Sequence, residues 1–281
     1  MLIYGREIRD KLKAEISQFA ASTPMRMAII VVGEDGPSQA YVKGIVRFAE
    51  ETGIKIDVLN LPAEVNESEV LRIITELNND SEIDGIMLQK PLPNQIDDNK
   101  LVNAIAYHKD VEGIHNYNLG KLISKQAGIQ PSTPKAVIRM LKEHNIPIEG
   151  KNVTIVGRST ILGSPLAVMM TAENGTVTVC HTRTKDLKKE IFNADILVAA
   201  MGRLNFITAD MVREDTVIID AGINFDQNGK MFGDVDETAR EKAAIASAVP
   251  GGVGVITVAE LFDNLKQICV SKQKNKIAFP Q

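Results

Sequence analysis

Two cysteines are the whole complement of this 281-residue chain, too few for a disulfide framework or for a zinc site built on paired cysteines. They are Cys180, inside an apolar run, and Cys269, near the end. Thiols this sparse suit a reducing compartment, and a cytoplasmic location is expected. The histidines are also few: His108, His115, His144 and His181 fall at no metal-ligand spacing, so no metal is assigned. No stretch reaches the roughly 18 apolar residues of a membrane helix. The opening MLIYGREIRDKLKAEI mixes acids with bases and lacks the apolar centre of a secretory signal. There is no basic excess either: 32 Lys and Arg stand against 36 Asp and Glu, a formal charge of −4, which argues against a surface for nucleic-acid phosphates. Low-complexity tracts and internal repeats of about 20 to 50 residues are also missing.

What is present is the composition of an ordinary globular protein, 44% hydrophobic and 24% charged, at a length that accommodates about two domains. Ile8, Leu12, Ile16 and Phe19 draw one stripe on a first helix over 6 to 19. The apolar run MRMAIIVV then predicts a strand, GEDGPS a loop, and 39 to 51 a helix. IKIDVLNLP is a second strand, the segment from Asn66 to Leu77 a capped amphipathic helix, and GIMLQ at 85 to 89 a third strand running into the turn-rich KPLPNQIDD. Strand and helix alternate as in parallel βαβ units. Regularity is lost between 103 and 134, where a boundary or functional loop is expected. Beyond a helix near 135 to 145, GKNVTIVG, TVTVCH, ILVAA and TVIIDAGI alternate with helical segments, a second and Rossmann-like series. The expected fold is α/β, with an N-terminal βαβ domain over 1 to 118, rejoined by a C-terminal helix at about 257 to 281, and a dinucleotide-binding domain over 119 to 256.

Chemistry concentrates at a few places. Gly157-Arg-Ser-Thr-Ile-Leu-Gly163 joins a strand to an apolar helix, where glycines allow a tight turn and helix-terminal N–H groups can meet a diphosphate. Its spacing departs from G-x-G-x-x-G, so a plain packing turn explains it about equally well. The end of the next strand selects between dinucleotides. An acid there binds the ribose of NAD, whereas basic and hydroxyl groups receive the extra phosphate of NADP. Here Cys180-His-Thr-Arg-Thr-Lys185 has no acid before Asp186, and Thr182, Arg183, Lys185 and His181 are the groups that could surround a phosphate; a solvated basic turn is the alternative. In the first half Ser38, Tyr41 and Ile45 share a helix face, and Gln89 ends a strand. Lys109-Asp-Val-Glu-Gly113 sets two carboxylates two apart in an irregular segment, either a site or a solvated loop. Pro250-Gly-Gly-Val-Gly254 lets backbone approach a flat ligand or makes a tight turn.

Taken in order, these segments resemble the methylenetetrahydrofolate dehydrogenase/cyclohydrolase family, called FolD in bacteria. The likeness is carried by Ser38-Gln-Ala-Tyr41-Val42, Gln89 with Pro91-Leu92-Pro93, Lys109 to Gly113, Pro131-Ser-Thr-Pro134, Gly157-Arg158-Ser159, Gly233-Asp-Val-Asp236 and Pro250 to Gly254. The resemblance implies a cytosolic homodimer of two-domain chains, with a cleft between the domains for tetrahydrofolate derivatives and NADP, or NAD, on the C-terminal domain. It implies oxidation of methylenetetrahydrofolate and hydrolysis of the methenyl product. On the family pattern Tyr41 stacks on folate and Gln89 supports a catalytic lysine. Glu112 stands where an aspartate holds the pteridine, and Gly252 and Val255 fall in the substrate-binding segment. Gly157, Arg158, Ser159, Thr182, Arg183 and Ile223 fall at cofactor positions.

The departures carry consequences. The family lysine four residues after the tyrosine is Ile45 here, while Lys43 and Arg47 stand roughly 200° away around the helix. Lys90 interrupts the usual Gln-Leu-Pro-Leu-Pro, and it joins Tyr41 and Gln89 as a catalytic candidate. Hydride loss from a carbon between two nitrogens depends chiefly on positioning, whereas hydrolysis needs protons moved. A dehydrogenase with cyclohydrolase activity weak or absent is expected. The alternatives are a bifunctional enzyme using Lys90 or Lys43, and a protein that binds folate or dinucleotide without turnover.

Overall fold

The computed structural model describes residues 1–33, 36–227 and 229–278. In chain order the elements are β1 (Leu2–Ile3), α1 (Arg6–Ser22), β2 (Arg26–Val32), α2 (Gly36–Thr52), β3 (Lys55–Leu61), α3 (Glu67–Asn79), β4 (Gly85–Leu88), α4 (Asp98–Ala104) and α5 (Asn116–Ile123). There follow α6 (Ser132–Glu143), β5 (Asn152–Val156), α7 (Gly163–Ala172), β6 (Thr176–Cys180), α8 (Leu187–Phe192), β7 (Ile196–Ala199) and β8 (Val217–Asp220). The chain ends with β9 (Asn224–Phe225), β10 (Met231–Phe232), α9 (Glu237–Lys242), β11 (Ile245–Ser247) and α10 (Val253–Ala278).

These elements form two compact units, one of Lys11–Gln130 with Val258–Gln281 and the other of Met1–Asp10 with Pro131–Thr257. The division differs from the expected 118/119 boundary in two respects. The first ten residues join the later unit, because β1 pairs in parallel with β11 through Leu2↔Ala246 and Ile3↔Ser247. The boundary moves to 130/131, because the Asn264 side-chain amide donates to the carbonyls of Val111 (2.8 Å) and Gln130 (2.9 Å), holding both segments to α10.

In the first unit β2 is central, with β3 and β4 parallel on its two sides. It is buried on both faces, which is why its sequence is a continuous apolar run. Ala28, Ile30 and Val32 point to one face and pack with Val70 and Ile74 of α3 and Leu101 and Val102 of α4. On α2 the buried positions Ser38, Val42, Ile45, Phe48, Ala49 and Thr52 recur at three- and four-residue spacing, and Phe48 stacks on Phe262 of α10 at 4.8 Å between ring centres. Ile45 is fully buried within that stripe. The second unit is a six-stranded sheet in the order β1-β11-β8-β7-β5-β6, parallel throughout, with a separate β9/β10 hairpin.

The pattern-based elements formed, with shifted ends. The second helix begins at Gly36, ahead of the expected 39; of the GEDGPS loop, Glu34 and Asp35 lie outside the described residues. The last helix begins at Val253, ahead of 257, and its expected end at 279 to 281 lies outside the described residues. Helix α5 occupies part of the passage from 103 to 134 expected to be irregular, and α4 joins the turn-rich KPLPNQIDD to it. Both are capped by side chains: Asp97 accepts from the N–H groups of Asn99 and Lys100, and His115 from that of Tyr117.

Candidate active site

The Lys109–Gly113 segment is not a solvated loop. A parallel bridge Ile86↔Asp110, with the Ile86 N–H donating to the Lys109 carbonyl at 2.7 Å, lays it alongside β4. The Lys109 ammonium, drawn back to α3, donates to the carbonyls of Leu77 (2.8 Å) and Asp80 (2.7 Å), and burial lowers its pKa. Asp110 is 2% exposed and accepts from the N–H groups of Gly113 (3.0 Å) and His115 (2.9 Å) and from Asn118 (2.9 Å). Burial raises the Asp110 pKa against the pull of those three donors. Lys109 and Asp110 therefore shape the turn, in which the Glu112 carboxylate takes no part.

Glu112 lies beside β4, where the Leu88 backbone N–H donates to it. Burial first, and then the Asp110 charge, push its pKa up to about 7, against the opposing charge of Lys90. Tyr41, from α2, feels the Glu112 charge in turn, and burial drives its phenol upward. Gln89 is 7% exposed; its amide N–H donates to the Lys90 carbonyl at 2.6 Å, while its side-chain oxygen is buried without a partner. The Ser38 hydroxyl donates to that same carbonyl at 3.2 Å, and the Lys90 ammonium lies 3.5 Å from Asp98. The first unit thus brings Tyr41, Gln89, Lys90 and Glu112 into one cluster. Lys43 is not a member: it lines a groove of about 1010 Å³ between α2 and β3, together with Arg47, Glu50, Val58 and Glu64.

In the second unit the candidates gather at the carboxyl ends of the parallel strands. Register pairs Val156 with both Cys180 and Ala199, and Ala199 with Asp220, so the segments after β5, β6, β7 and β8 emerge along one edge. The chain order reverses at β5, which lies between β6 and β7, and open parallel sheets bind ligands at such a reversal. Gly157 has φ +133°, and a Cβ there would lie 2.2 Å from the Ala200 carbonyl oxygen. A Cβ on Gly163 would lie 2.1 Å from the Gly157 carbonyl oxygen. Only glycines fit this turn, and it leaves Arg158 and Ser159 exposed. Thr182 and Arg183 are exposed in the adjoining turn, whose backbone is fixed by Thr184 Oγ1 accepting from the His181 N–H at 2.9 Å. Ile223, 54% exposed, follows β8. This cradle fits a dinucleotide.

Gly252 and Val255 also belong to the second unit. A Cβ on Gly252 would lie 2.2 Å from the Ala248 carbonyl oxygen, and the Val255 side chain packs towards Gly5. Two buried aspartates carry no role in the sequence reading: Asp220, which it does not name, and Asp234, which it names only within the Gly233–Asp236 motif; they are 1% and 0% exposed. Their signal was the nearby pairing of acid with glycine in Asp220-Ala-Gly222 and Gly233-Asp234.

Comparison with known proteins agrees with this geometry. The catalytic-domain model of tetrahydrofolate dehydrogenase/cyclohydrolase matches residues 3–112, and the NAD(P)-binding-domain model of the same family matches 131–273. The bifunctional protein FolD 2 of Syntrophomonas wolfei is 64% identical over 266 residues, covering 95% of this chain and 98% of that one. The bifunctional FolD of Campylobacter jejuni superposes with a TM-score of 0.93 at 36% identity, covering 97% of this chain and 99% of that one. The Trypanosoma brucei FolD, solved with NADP and an inhibitor, gives a TM-score of 0.92 at 29% identity over 97% and 98% of the chains. No helix among the described residues is long and apolar enough to cross a membrane.

The raised Glu112 carboxyl sets a pH dependence. The unfolded chain releases this proton near 4.5 and the folded chain near 7, so ionisation costs the fold nothing at low pH and its full penalty above 7. Glu112→Gln, which cannot ionise, gains stability over the unsubstituted chain between pH 5 and pH 8, by up to about 3 kcal/mol. Urea unfolding of both chains at the two pH values measures this; an equal difference at both would refute the placement.

Proposed function

The chain belongs to the tetrahydrofolate dehydrogenase/cyclohydrolase family, and on that premise we propose that it is an NADP-linked methylenetetrahydrofolate dehydrogenase working in the cytosol as a homodimer. The observation that carries this reading is the glycine turn at Gly157, too tight for any side chain, next to a strand end where Thr182 and Arg183 stand with no acid among them. Gly157, Arg158 and Ser159 would hold the diphosphate, Thr182 and Arg183 the added phosphate, and Ile223 would pack on the cofactor. Bound NADP supplies the hydride acceptor. Tyr41 offers a ring for the folate to stack on, and Glu112 a carboxylate for the N–H donors of the pteridine edge. The methylene carbon lies between two nitrogens whose lone pairs spread the developing positive charge, so these side chains serve chiefly to position it.

A second activity is favoured by one observation. The α2 position of the family lysine is the buried Ile45 and Lys43 faces a different groove, but Lys90 brings an ammonium to the Glu112 cluster. Hydrolysis of the methenyl product needs water added to carbon and protons moved. Lys90 stands where an ammonium could assist both. Absorbance of purified protein with methylenetetrahydrofolate and NADP, then with the methenyl compound alone, follows the two steps separately. The expected result is reduced cofactor in the first assay and loss of methenyl absorbance in the second. Lys90→Met is expected to slow hydrolysis by about a hundred- to ten-thousand-fold and hydride transfer far less. Equal losses in both assays would remove Lys90 from the hydrolytic role, and a chain silent in both would be a binding protein.

The cytosolic placement is supported by both cysteines being free and buried. The homodimer is supported by β6, which ends the six-stranded sheet with its outer edge unpaired among the described residues and Val179 36% exposed. Such an edge is a template for a second strand, and a second copy would complete it. Sedimentation at micromolar concentration is expected to find dimers that Val179→Lys dissociates; an unsubstituted chain that stays monomeric, or a variant that dimerises as well, would contradict it.

A further inference from the structure

Asp234 is one of two buried aspartates that hold loops of the second unit. It is 0% exposed, and each carboxylate oxygen accepts two hydrogen bonds. Oδ2 accepts from the N–H groups of Met201 (2.7 Å) and Gly202 (3.0 Å), and Oδ1 from the N–H of Arg203 (2.7 Å) and the side-chain amide of Asn224 (2.9 Å). Three successive backbone donors thus converge on one carboxylate and fix the loop after β7. On the other side, Gly222 sits so close that a Cβ there would lie 2.2 Å from the Asp234 carboxyl carbon. Gly222 and Asn224 flank Ile223, so both chain neighbours of that residue are set against the same carboxylate.

Asp234 is itself held in place. Its N–H donates to Asp220 at 3.0 Å, and Asp220 also accepts from the N–H groups of Gly222 (3.0 Å) and Val235 (3.1 Å) and from the Arg240 guanidinium (3.0 Å). None of the donors to Asp234 belongs to the six-stranded sheet: β7 and β8 pair through their own ladder from Ile196↔Val217 to Ala199↔Asp220. What Asp234 organises is the pair of loops leaving those strands beside the Gly157 turn, where the Ala200 carbonyl closes on Gly157.

We propose that Asp234 is a positioning residue for the dinucleotide: by binding the N–H groups of Met201–Arg203 and the side-chain amide of Asn224, with Gly222 packed against it, it presets the loops that receive the cofactor. The inference rests on the NADP reading given above. A neutral amide at this position is the sharpest probe, because it keeps the shape but turns an NH₂ toward two of the four donors and leaves them unpaired.

In the full-length protein, Asp234→Asn is expected to weaken NADP binding tenfold or more by isothermal titration and to lower kcat, while KM for methylenetetrahydrofolate stays within twofold. Asn224→Ala, which removes one donor and leaves the three backbone bonds, is expected to weaken NADP binding about two- to fivefold with the same indifference of the folate KM. A residue that served stability alone would shift the melting temperature and leave this split absent. The proposal is overturned if Asp234→Asn binds NADP within twofold of the unsubstituted chain, or if folate KM and cofactor affinity deteriorate together. Should Asp234→Asn fail to fold, an Asn224→Ala variant with unchanged NADP affinity overturns it equally. An unsubstituted chain that binds no NADP overturns the cofactor reading and this inference together, whereas one that binds NADP with variants unaffected overturns only the placement of Asp234.

Discussion

A parallel sheet ends in a row of strands whose following loops have no ladder to hold them, and this protein holds several of those loops with buried carboxylates. Asp110 does so beside β4, and Asp220 and Asp234 beyond β7 and β8. A carboxylate has four lone-pair sites, so one side chain satisfies several backbone N–H groups that would otherwise be buried unpaired. The burial that raises the pKa of Asp110 and Asp220 is offset by those same donors. Each loop is thereby fixed by its own carboxylate, and on the proposed reading a neighbouring residue is left to the ligand: Glu112 after Asp110, and Ile223 beside Asp234.

That division of labour describes a cluster in which two acids only two residues apart have different partners. Asp110 is closed off by its turn, while Glu112 faces Tyr41 and Lys90 and holds its proton up to about pH 7. The same arrangement gives the substitution at position 45 a structural rationale. Ile45 continues an apolar stripe from Val42 to Phe48 and packs as core, so α2 contributes a ring and no charge to the site. The ammonium nearest Glu112 lies instead on the loop after β4, that of Lys90, and the proposed hydrolytic role falls to it.

Much of the fold was legible because burial on both faces writes parallel strands as unbroken apolar runs, as in MRMAIIVV and VTIV. The short elements were not: α4 and α5 span only 7 and 8 residues, too few to show a periodic stripe, and their starts are set by the Asp97 and His115 caps. β1 has two residues and exists only because β11 is there to pair with. The glycine turn after β5 was readable from position, and its tight geometry is what the structure shows. Which of Asp110 and Glu112 faces the cluster was not, since that depends on a bridge between Ile86 and Asp110 that no local pattern announces. Asp234 was visible only as part of a family motif, because its partners lie 10 to 33 residues away in the chain.

If buried carboxylates preset these loops for ligands, a crystal structure of the protein with NADP and a folate analogue is the most direct measurement. The expected density places the diphosphate against the backbone of Gly157 to Ser159, the added phosphate within hydrogen-bonding reach of Thr182 and Arg183, and the pteridine on Tyr41 with its N–H edge at Glu112. The loop over Met201 to Arg203 should keep its three bonds to Asp234. A dinucleotide bound elsewhere, or loops that abandon Asp110 and Asp234 to admit their ligands, would contradict the account.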